Sequence, residues 1–388
     1  MALRLHKINL TNFRNYAALR LDVAGAAFVV LTGDNGAGKT NILEAVSLLT
    51  PGRGLRGADL LEMKSRDAGA EDIWAVAAEV ETAAGERCRI GTGLDRNHKR
   101  RTIRIDGQDA ATQADLSSRI AAVWLTPQMD RLFLDGASAR RKFFDRLVYA
   151  IDAAHATRIN RHDKTVRERM AILQGAVRRD DVWLDRLETQ ITEDAVAIGS
   201  ARNQLIDHMR AFVSHMKAEQ TLFPSPLFDV EGEIEKALLE KPALTVEEAL
   251  KKMLFDNRAQ DAATGRTHAG AHRCNIAVYY DEKNMPAANC STGEQKALLT
   301  AIVLAHTRMM KAETGHTPLL LLDEVAAHLD EARRDQLFGF LQTVDGQVWM
   351  TGTDARIFDG LAGAHRYVVT GGHVTPTPRT AVKGLVAG

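Results

Sequence analysis

The run Gly33-Asp34-Asn35-Gly36-Ala37-Gly38-Lys39-Thr40 fits the pattern G-x-x-x-x-G-K-[ST] in full. It follows an apolar, β-branched stretch, Ala27 to Thr32, and precedes helical spacing from Thr40 to Leu49. A strand, a glycine-rich loop and a helix in that order are what a polyphosphate cradle requires. Glycines let the backbone curl until its N–H groups converge, and the helix N-terminus adds a positive dipole end. Lys39 supplies a mobile cation for the β- and γ-phosphates, and the Thr40 hydroxyl is a hard ligand for Mg²⁺. A glycine-rich turn with an accidental lysine is the plain alternative, and the flanking strand and helix weigh against it.

A second group of reactive residues lies far downstream. Pro318 to Leu322 is an apolar run that closes on Asp323-Glu324. A strand buried on both faces does not carry carboxylates inside it, but at its C-terminal end they reach the ligand crevice of an α/β sheet. There Asp323 would hold Mg²⁺, directly or through water, and Glu324 would orient and deprotonate an attacking water. The competing role for Asp323 is a helix cap. Just upstream, Ser291-Thr292-Gly293-Glu294-Gln295 opens the apolar helical run Ala297 to Met310. Ser291 with Glu294 three residues on reads as a capping box.

These residues need elements to hold them. Alternating apolar residues predict strands at Leu3–Leu10 and Leu19–Val23 and a β-meander from Ile73 to Ile105. Residues 138–217 carry no proline and few glycines, and the spacing of Leu184, Leu187 and Ile191 predicts two or three long helices. Phe223-Pro224-Ser225-Pro226 breaks them, a further helix runs through Leu250, and strand texture returns after Gly265. The expected class is α/β, a mixed sheet with helices. The expected plan is one P-loop nucleotide-binding domain in two parts, residues 1–130 and 263–388, interrupted by a helical lobe at 131–262.

The bulk composition narrows the class. At 388 residues, 45% hydrophobic and 26% charged, the chain is long enough for about two globular domains. A net charge of zero leaves electrostatic steering to local patches. Cys88, Cys274 and Cys290 are scattered, which argues against a zinc ribbon or disulfide framework and fits a cytoplasmic protein. No long apolar run predicts a membrane span.

The set formed by the P-loop, Ser291 to Gln295, Leu319 to Glu324 and then Ala327-His328-Leu329-Asp330 resembles an ABC-type ATPase head. The stretch between Thr40 and Ser291 is much longer than in transporter subunits and matches the SMC-like plan without a heptad-built coiled coil. Three further segments narrow the resemblance to the RecF family of DNA replication and repair proteins. They are Leu10-Thr11-Asn12-Phe13-Arg14-Asn15-Tyr16, then Thr126 to Asp145 with Gln128 and Arg140-Arg141-Lys142, and Asp323 to Leu337. Departures are Gly270-Ala271-His272-Arg273-Cys274-Asn275, which lacks that family's proline and acids, and Met350 to Asp354, where transporters carry a histidine.

The resemblance implies ATP and Mg²⁺ as cofactors. Gly33 to Thr40 would hold the nucleotide with Arg14 near its phosphates. Thr40 and Asp323 would be the metal ligands, and Glu324, Lys39 and Gln128 the catalytic set. Ser291, Thr292, Gly293 and Gln295 would cap the γ-phosphate held by a second subunit, with Asp330 at the dimer seam. It implies a slow, regulatory ATPase, stimulated by DNA, that dimerises with ATP as a clamp at single-strand gaps. RecR and RecO would be partners, RecA loading and SOS induction the outcomes, and no membrane would be involved.

DNA would need cations. Arg96, Lys99, Arg100, Arg101 and Arg104 cluster on the meander, and Arg140, Arg141, Lys142, Arg161 and Lys164 on the lobe. Such stripes bind backbone phosphates without reading sequence, although a solvated helix face laced with ion pairs looks the same on paper. Lys99, Arg100, Arg101, Arg140, Arg141, Arg161 and Lys164 are the candidates. Two other functions remain open from these residues, the ATPase subunit of a membrane importer and a non-catalytic ATP-binding scaffold.

Overall fold

The structure is a computed structural model that describes residues 2–98, 100–110, 115–116, 119–152, 154–176, 180–219 and 221–377. The chain forms two compact units, residues 1–127 with 310–388, and residues 128–309.

The first unit contains two six-stranded sheets. One has the order β2(Tyr16–Asp22), β1(Arg4–Phe13), β4(Ala75–Glu81), β5(Arg87–Leu94), β6(Arg101–Ile105), β7(Gln108–Asp109), antiparallel throughout. The other runs β15(His373–Pro376), β14(His365–Thr370), β3(Phe28–Thr32), β13(Val348–Gly352), β12(Leu319–Leu322), β8(Ala122–Leu125). All its pairings are parallel except β14 with β15. β3, β12 and β13 are buried at every position. Each Val, Leu or Met so placed contributes about 1.5–3 kcal/mol, so the apolar runs seek the centre of the sheet. Gln347 is fully buried and stitches the two sheets together. Its amide nitrogen donates to the Leu5 and Ala26 carbonyls and its oxygen accepts the Leu5 N–H, each at 2.9 Å.

The helix that follows β3, α1(Lys39–Ser47), buries Ile42, Leu43, Ala45 and Val46. Sequence order and sheet order differ in one respect that matters for the site. β13, the later strand, lies between β3 and β12, with Leu31 opposite Thr351 and Leu322 opposite Met350. The C-terminal ends of all three strands therefore open on one edge, the usual ligand position of parallel α/β sheets.

The second unit is mostly helical. α2(Ala137–Tyr149), α3(His155–Leu173) and α4(Asp181–Ala218) fill the expected helical block, α4 capped by Asp180, which accepts the Trp183 N–H. Then come β9(Pro226–Glu231), α5(Glu233–Glu240), α6(Ala243–Asp256), α7(Arg258–Thr264), β10(Asn275–Tyr280), β11(Met285–Pro286) and the start of α8(Thr292–Thr314). β10 pairs with β9 and β11 in a sheet of its own. The inserted unit therefore extends past residue 262, where composition alone put its end. β9–β10 pairing and the hydrogen bond from Arg202 to the Ala271 carbonyl at 2.7 Å bind the later residues to the lobe. Ile191, Ile198, Leu250 and Leu254 form its apolar centre. Among the described residues, no helix is long and apolar enough to cross a membrane.

α8 is anchored to α2 by a buried histidine, whose His306 Nε2 lies 3.0 Å from the Leu147 carbonyl oxygen. Burial, helped by the nearby Arg146 cation, pushes His306 down to about 4. The unfolded chain, with an ordinary imidazole near 6.5, takes up the proton first. Stability is therefore full above that value and is lost as pH falls toward 4. Unfolding midpoints in urea should show about 2 kcal/mol less stability at pH 5 than at pH 7 from this group, and His306→Gln should remove that part of the slope.

Candidate nucleotide site

The loop after β3 has the backbone that its glycines allow. Gly33 (φ 146) runs against β14, where a Cβ would lie 2.2 Å from the Val369 carbonyl oxygen. Gly38 (φ 115) caps α1 in the left-handed region, and a Cβ there would meet the Asn15 and Tyr16 side chains at 2.5 and 2.6 Å. Those two residues hold the loop from outside. Asn15 Nδ2 donates to the Ala37 carbonyl at 3.1 Å and Tyr16 Oη to the Gly38 carbonyl at 3.1 Å.

Lys39 is buried and its Nζ donates to the Gly33 and Asp34 carbonyls at 2.6 and 2.8 Å. Burial lowers its pKa, and Glu324, Asp323 and Asp34 pull it back, so the ammonium sits among three carboxylates. The Thr40 hydroxyl lies 3.0 and 2.9 Å from the two Asp323 carboxylate oxygens. A threonine hydroxyl beside a carboxylate is a hard-oxygen pair of the kind Mg²⁺ prefers, so the residues present fit that ion. Among the described residues there is no cluster of three His, Cys, Asp or Glu that could hold a metal.

Glu324 stands in the left-handed region (φ 56, ψ 13), which costs a non-glycine residue about 1–3 kcal/mol and marks a site held by its surroundings. Its N–H donates to Thr351 Oγ1 at 2.9 Å, and that hydroxyl donates to Asp323 Oδ1 at 2.6 Å. In the sequence, Met350 to Asp354 stands out only for a missing histidine. The signal for Thr351 was a lone hydroxyl on an otherwise apolar buried strand.

Several candidate residues are also held by partners within the fold. Arg14 sits at φ 55 and does not turn to the loop. Its Nε and Nη2 donate to the buried Glu44 carboxylate at 2.8 and 2.6 Å, and Nη1 to the Glu62 carbonyl at 2.7 Å. A buried acid on α1 needs a cation more than an exposed loop does. Arg56 supplies a second one to Glu44 at 2.9 Å. Asp330 accepts the Arg333 N–H at 2.9 Å as the cap of α9(Glu331–Thr343).

Ser291 and Glu294 form the capping box. The Glu294 carboxylate accepts both the Ser291 N–H and its hydroxyl at 2.8 Å, and hydrogen bonds from Lys283 and Ser291 hold its pKa down at about 2. Gln295 turns inward to the Cys290 carbonyl at 2.9 Å, so it secures the turn and does not face outward. Ser291, Thr292 and Gly293 remain exposed at the head of α8. Gln128 is exposed in a short turn of the same unit, next to Met129 and Asp130. Asp130 pairs with Lys296 of α8 at 3.0 Å.

Three of the candidate DNA cations, Arg101, Arg140 and Arg141, are committed to acceptors of the fold. Arg101 donates to the carbonyls of Leu48, Thr50 and Gly52 and to Thr92 Oγ1, closing the C-terminal end of α1. A cation there satisfies orphan carbonyls and the helix dipole. Arg101→Ala should therefore lower stability by about 1–3 kcal/mol in denaturant unfolding, through the loss of these charge-assisted bonds. Arg140 donates to Asn275 Oδ1 and the Asp135 carbonyl, and Arg141 to the Cys274 carbonyl. Arg161 pairs with Asp194 and Lys164 with Glu168. Arg100 is 82% exposed, with Asp95 at 3.8 Å. Lys99 lies outside the described residues.

Residues 4–367 match the family described as RecF/RecN/SMC N terminal domain. The chain is 44% identical to the DNA replication and repair protein RecF of Mesorhizobium japonicum over 376 residues, 96% of this chain and 98% of that one. It is 44% identical to the protein of the same description from Brucella suis, over 96% of each. Among solved structures it is similar to the recombination mediator protein RecF with ATP in the RecFOR pathway, with TM-score 0.84, 22% identity, and 97% and 98% of the two chains covered. It is also similar to a Pyrococcus furiosus Smc head domain with an extended coiled coil bound to the C-terminal domain of ScpA (TM-score 0.54, 15% identity, 97% and 96% covered). These likenesses establish the fold as an α/β ATPase-head fold of the SMC type.

Proposed function

Because the chain belongs to the RecF family of DNA replication and repair proteins, we propose that it is an ATP-dependent DNA-binding repair protein that closes as a dimer around nucleotide. The observation that carries this reading is the convergence of Lys39, Thr40, Asp323 and Glu324 on one edge of a parallel sheet. The loop N–H groups and Lys39 bind the triphosphate. Thr40 and Asp323 would hold a magnesium ion, which when bound neutralises phosphate charge. Glu324 accepts a proton from the water that attacks the γ-phosphorus, as the bond to the β-phosphate oxygen breaks. The exposed Ser291, Thr292 and Gly293 at the head of α8 offer a hydroxyl-bearing helix N-terminus to the γ-phosphate held by a second copy. That contact exists only with the triphosphate, so hydrolysis releases the dimer.

The relatives' description as replication and repair proteins and the RecFOR pathway of the structural neighbour support a role at single-strand gaps. There the protein works with RecO and RecR, assists RecA loading and supports SOS induction. Turnover is slow and regulatory, stimulated by DNA, and takes place in the cytoplasm. The DNA contact is to backbone phosphates, with Arg100, Arg161, Lys164 and Lys99 as the remaining candidates. Sedimentation of the Glu324→Gln protein tests the whole reading. The expected result is a monomer without nucleotide and a dimer with ATP, further stabilised by gapped DNA. A mass that stays monomeric although ATP binds would leave Ser291 to Gln295 as a helix cap and nothing more.

A further inference from the structure

We propose that Thr351 is a positioning residue for hydrolysis, the group that sets the backbone of Glu324 and so aims its carboxylate. The inference rests on the ATPase reading above and adds to it a residue outside the phosphate loop and the carboxylate strand. Thr351 is buried, 1% exposed, on the strand that lies between the phosphate-loop strand and the carboxylate strand. It is offset by one residue from the Leu322–Met350 pair, which brings its hydroxyl beside Asp323.

That hydroxyl is used in both directions. Its single proton goes to Asp323 Oδ1 at 2.6 Å, and its oxygen accepts the Glu324 N–H at 2.9 Å. The chain of Glu324 N–H, Thr351 hydroxyl and Asp323 carboxylate is thus polarised toward a charge, which strengthens each link. Glu324 is held in a left-handed conformation that a glutamate does not choose by itself. A β-branched side chain on a strand has restricted χ1 freedom, so the acceptor stays where the N–H needs it.

The two carboxylates do not depend on Thr351 equally. Asp323 keeps its second partner, the Thr40 hydroxyl at 2.9 Å, if Thr351 is lost. The Glu324 N–H loses the acceptor that the fold supplies. Removing the hydroxyl should therefore affect the chemical step and spare nucleotide binding.

The test compares wild type, Thr351→Val and Thr351→Ser by steady-state MgATP turnover, fluorescent-ATP binding and thermal melting. Valine keeps the shape and deletes both hydrogen bonds. Serine keeps the hydroxyl. For Thr351→Val, kcat should fall about 10- to 100-fold, the range expected when a catalytic group is misplaced by about an ångström. KM and nucleotide affinity should stay within about threefold, since ground-state binding is untouched. Thr351→Ser should return kcat to within about threefold of wild type by the same measure. A Thr351→Val protein that turns over like wild type overturns the positioning role alone. So does one in which kcat and affinity fall together with melting temperature and serine does not rescue. If the wild type binds ATP but does not turn it over, the ATPase reading fails first, and this role fails with it.

Discussion

The Glu324→Gln protein should bind ATP as tightly as wild type and hydrolyse it at least about 100-fold more slowly, the scale set by losing a general base. Glutamine has the shape of glutamate but no basic oxygen to take the proton of the attacking water. The geometry argues that little else changes. The Glu324 contact with the fold is made by its backbone N–H, to Thr351 at 2.9 Å, and the substitution keeps it. Lys39 loses the strongest of the three carboxylate influences on it but keeps Asp323 and Asp34. Single-turnover hydrolysis measured beside fluorescent-ATP binding separates the two effects. An unchanged rate would move the base elsewhere, with Gln128 excluded because an amide accepts no proton at neutral pH.

The second large effect concerns stability of the lobe. Arg202→Met should destabilise the protein by about 3–5 kcal/mol, as breaking a buried ion pair from one side does. Arg202 on α4 is 2% exposed. It donates to both Asp145 oxygens on α2 at 2.8 and 2.9 Å, to Glu235 on α5 at 3.0 Å and to the Ala271 carbonyl at 2.7 Å. Removal leaves two buried carboxylates without their cation, and among the described residues Asp145 retains His155 at 3.1 Å. Urea unfolding should show the loss, and Asp145→Asn added to Arg202→Met should recover part of it. The same cluster gives an acid signature. Burial alone would raise the Asp145 pKa, but Arg202 and the His155 hydrogen bond hold it at about 2. The stability it contributes is present above the unfolded value near 4 and is lost as pH falls from there toward 2. The Arg202→Met protein should lack that acid limb.

Local chemistry was readable along the chain. The phosphate loop, the carboxylate strand and the helical block at 138–217 each carry their reason in neighbouring residues: glycine spacing, an apolar run closing on acids, an apolar repeat at helical period. The Ser291–Glu294 box was legible for the same reason, since its partners are three residues apart. What chain order could not decide is which side chains meet across it. Thr40 and Asp323 are 283 residues apart, and Thr351 joins them only because a later strand inserts between two earlier ones. A guanidinium in a sequence counts as a positive charge on the surface. In the fold, Arg14, Arg101, Arg140 and Arg141 are drawn to a buried glutamate, to helix-end carbonyls and to turns, where an unpaired acid or acceptor would cost more than a lost surface charge. Sequence therefore determined the ligand class of the site. Tertiary structure decided which side chains meet at the site and which cations stay on the surface, because desolvated hydrogen bonds are satisfied by whatever the sheet order and helix packing bring within 3 Å.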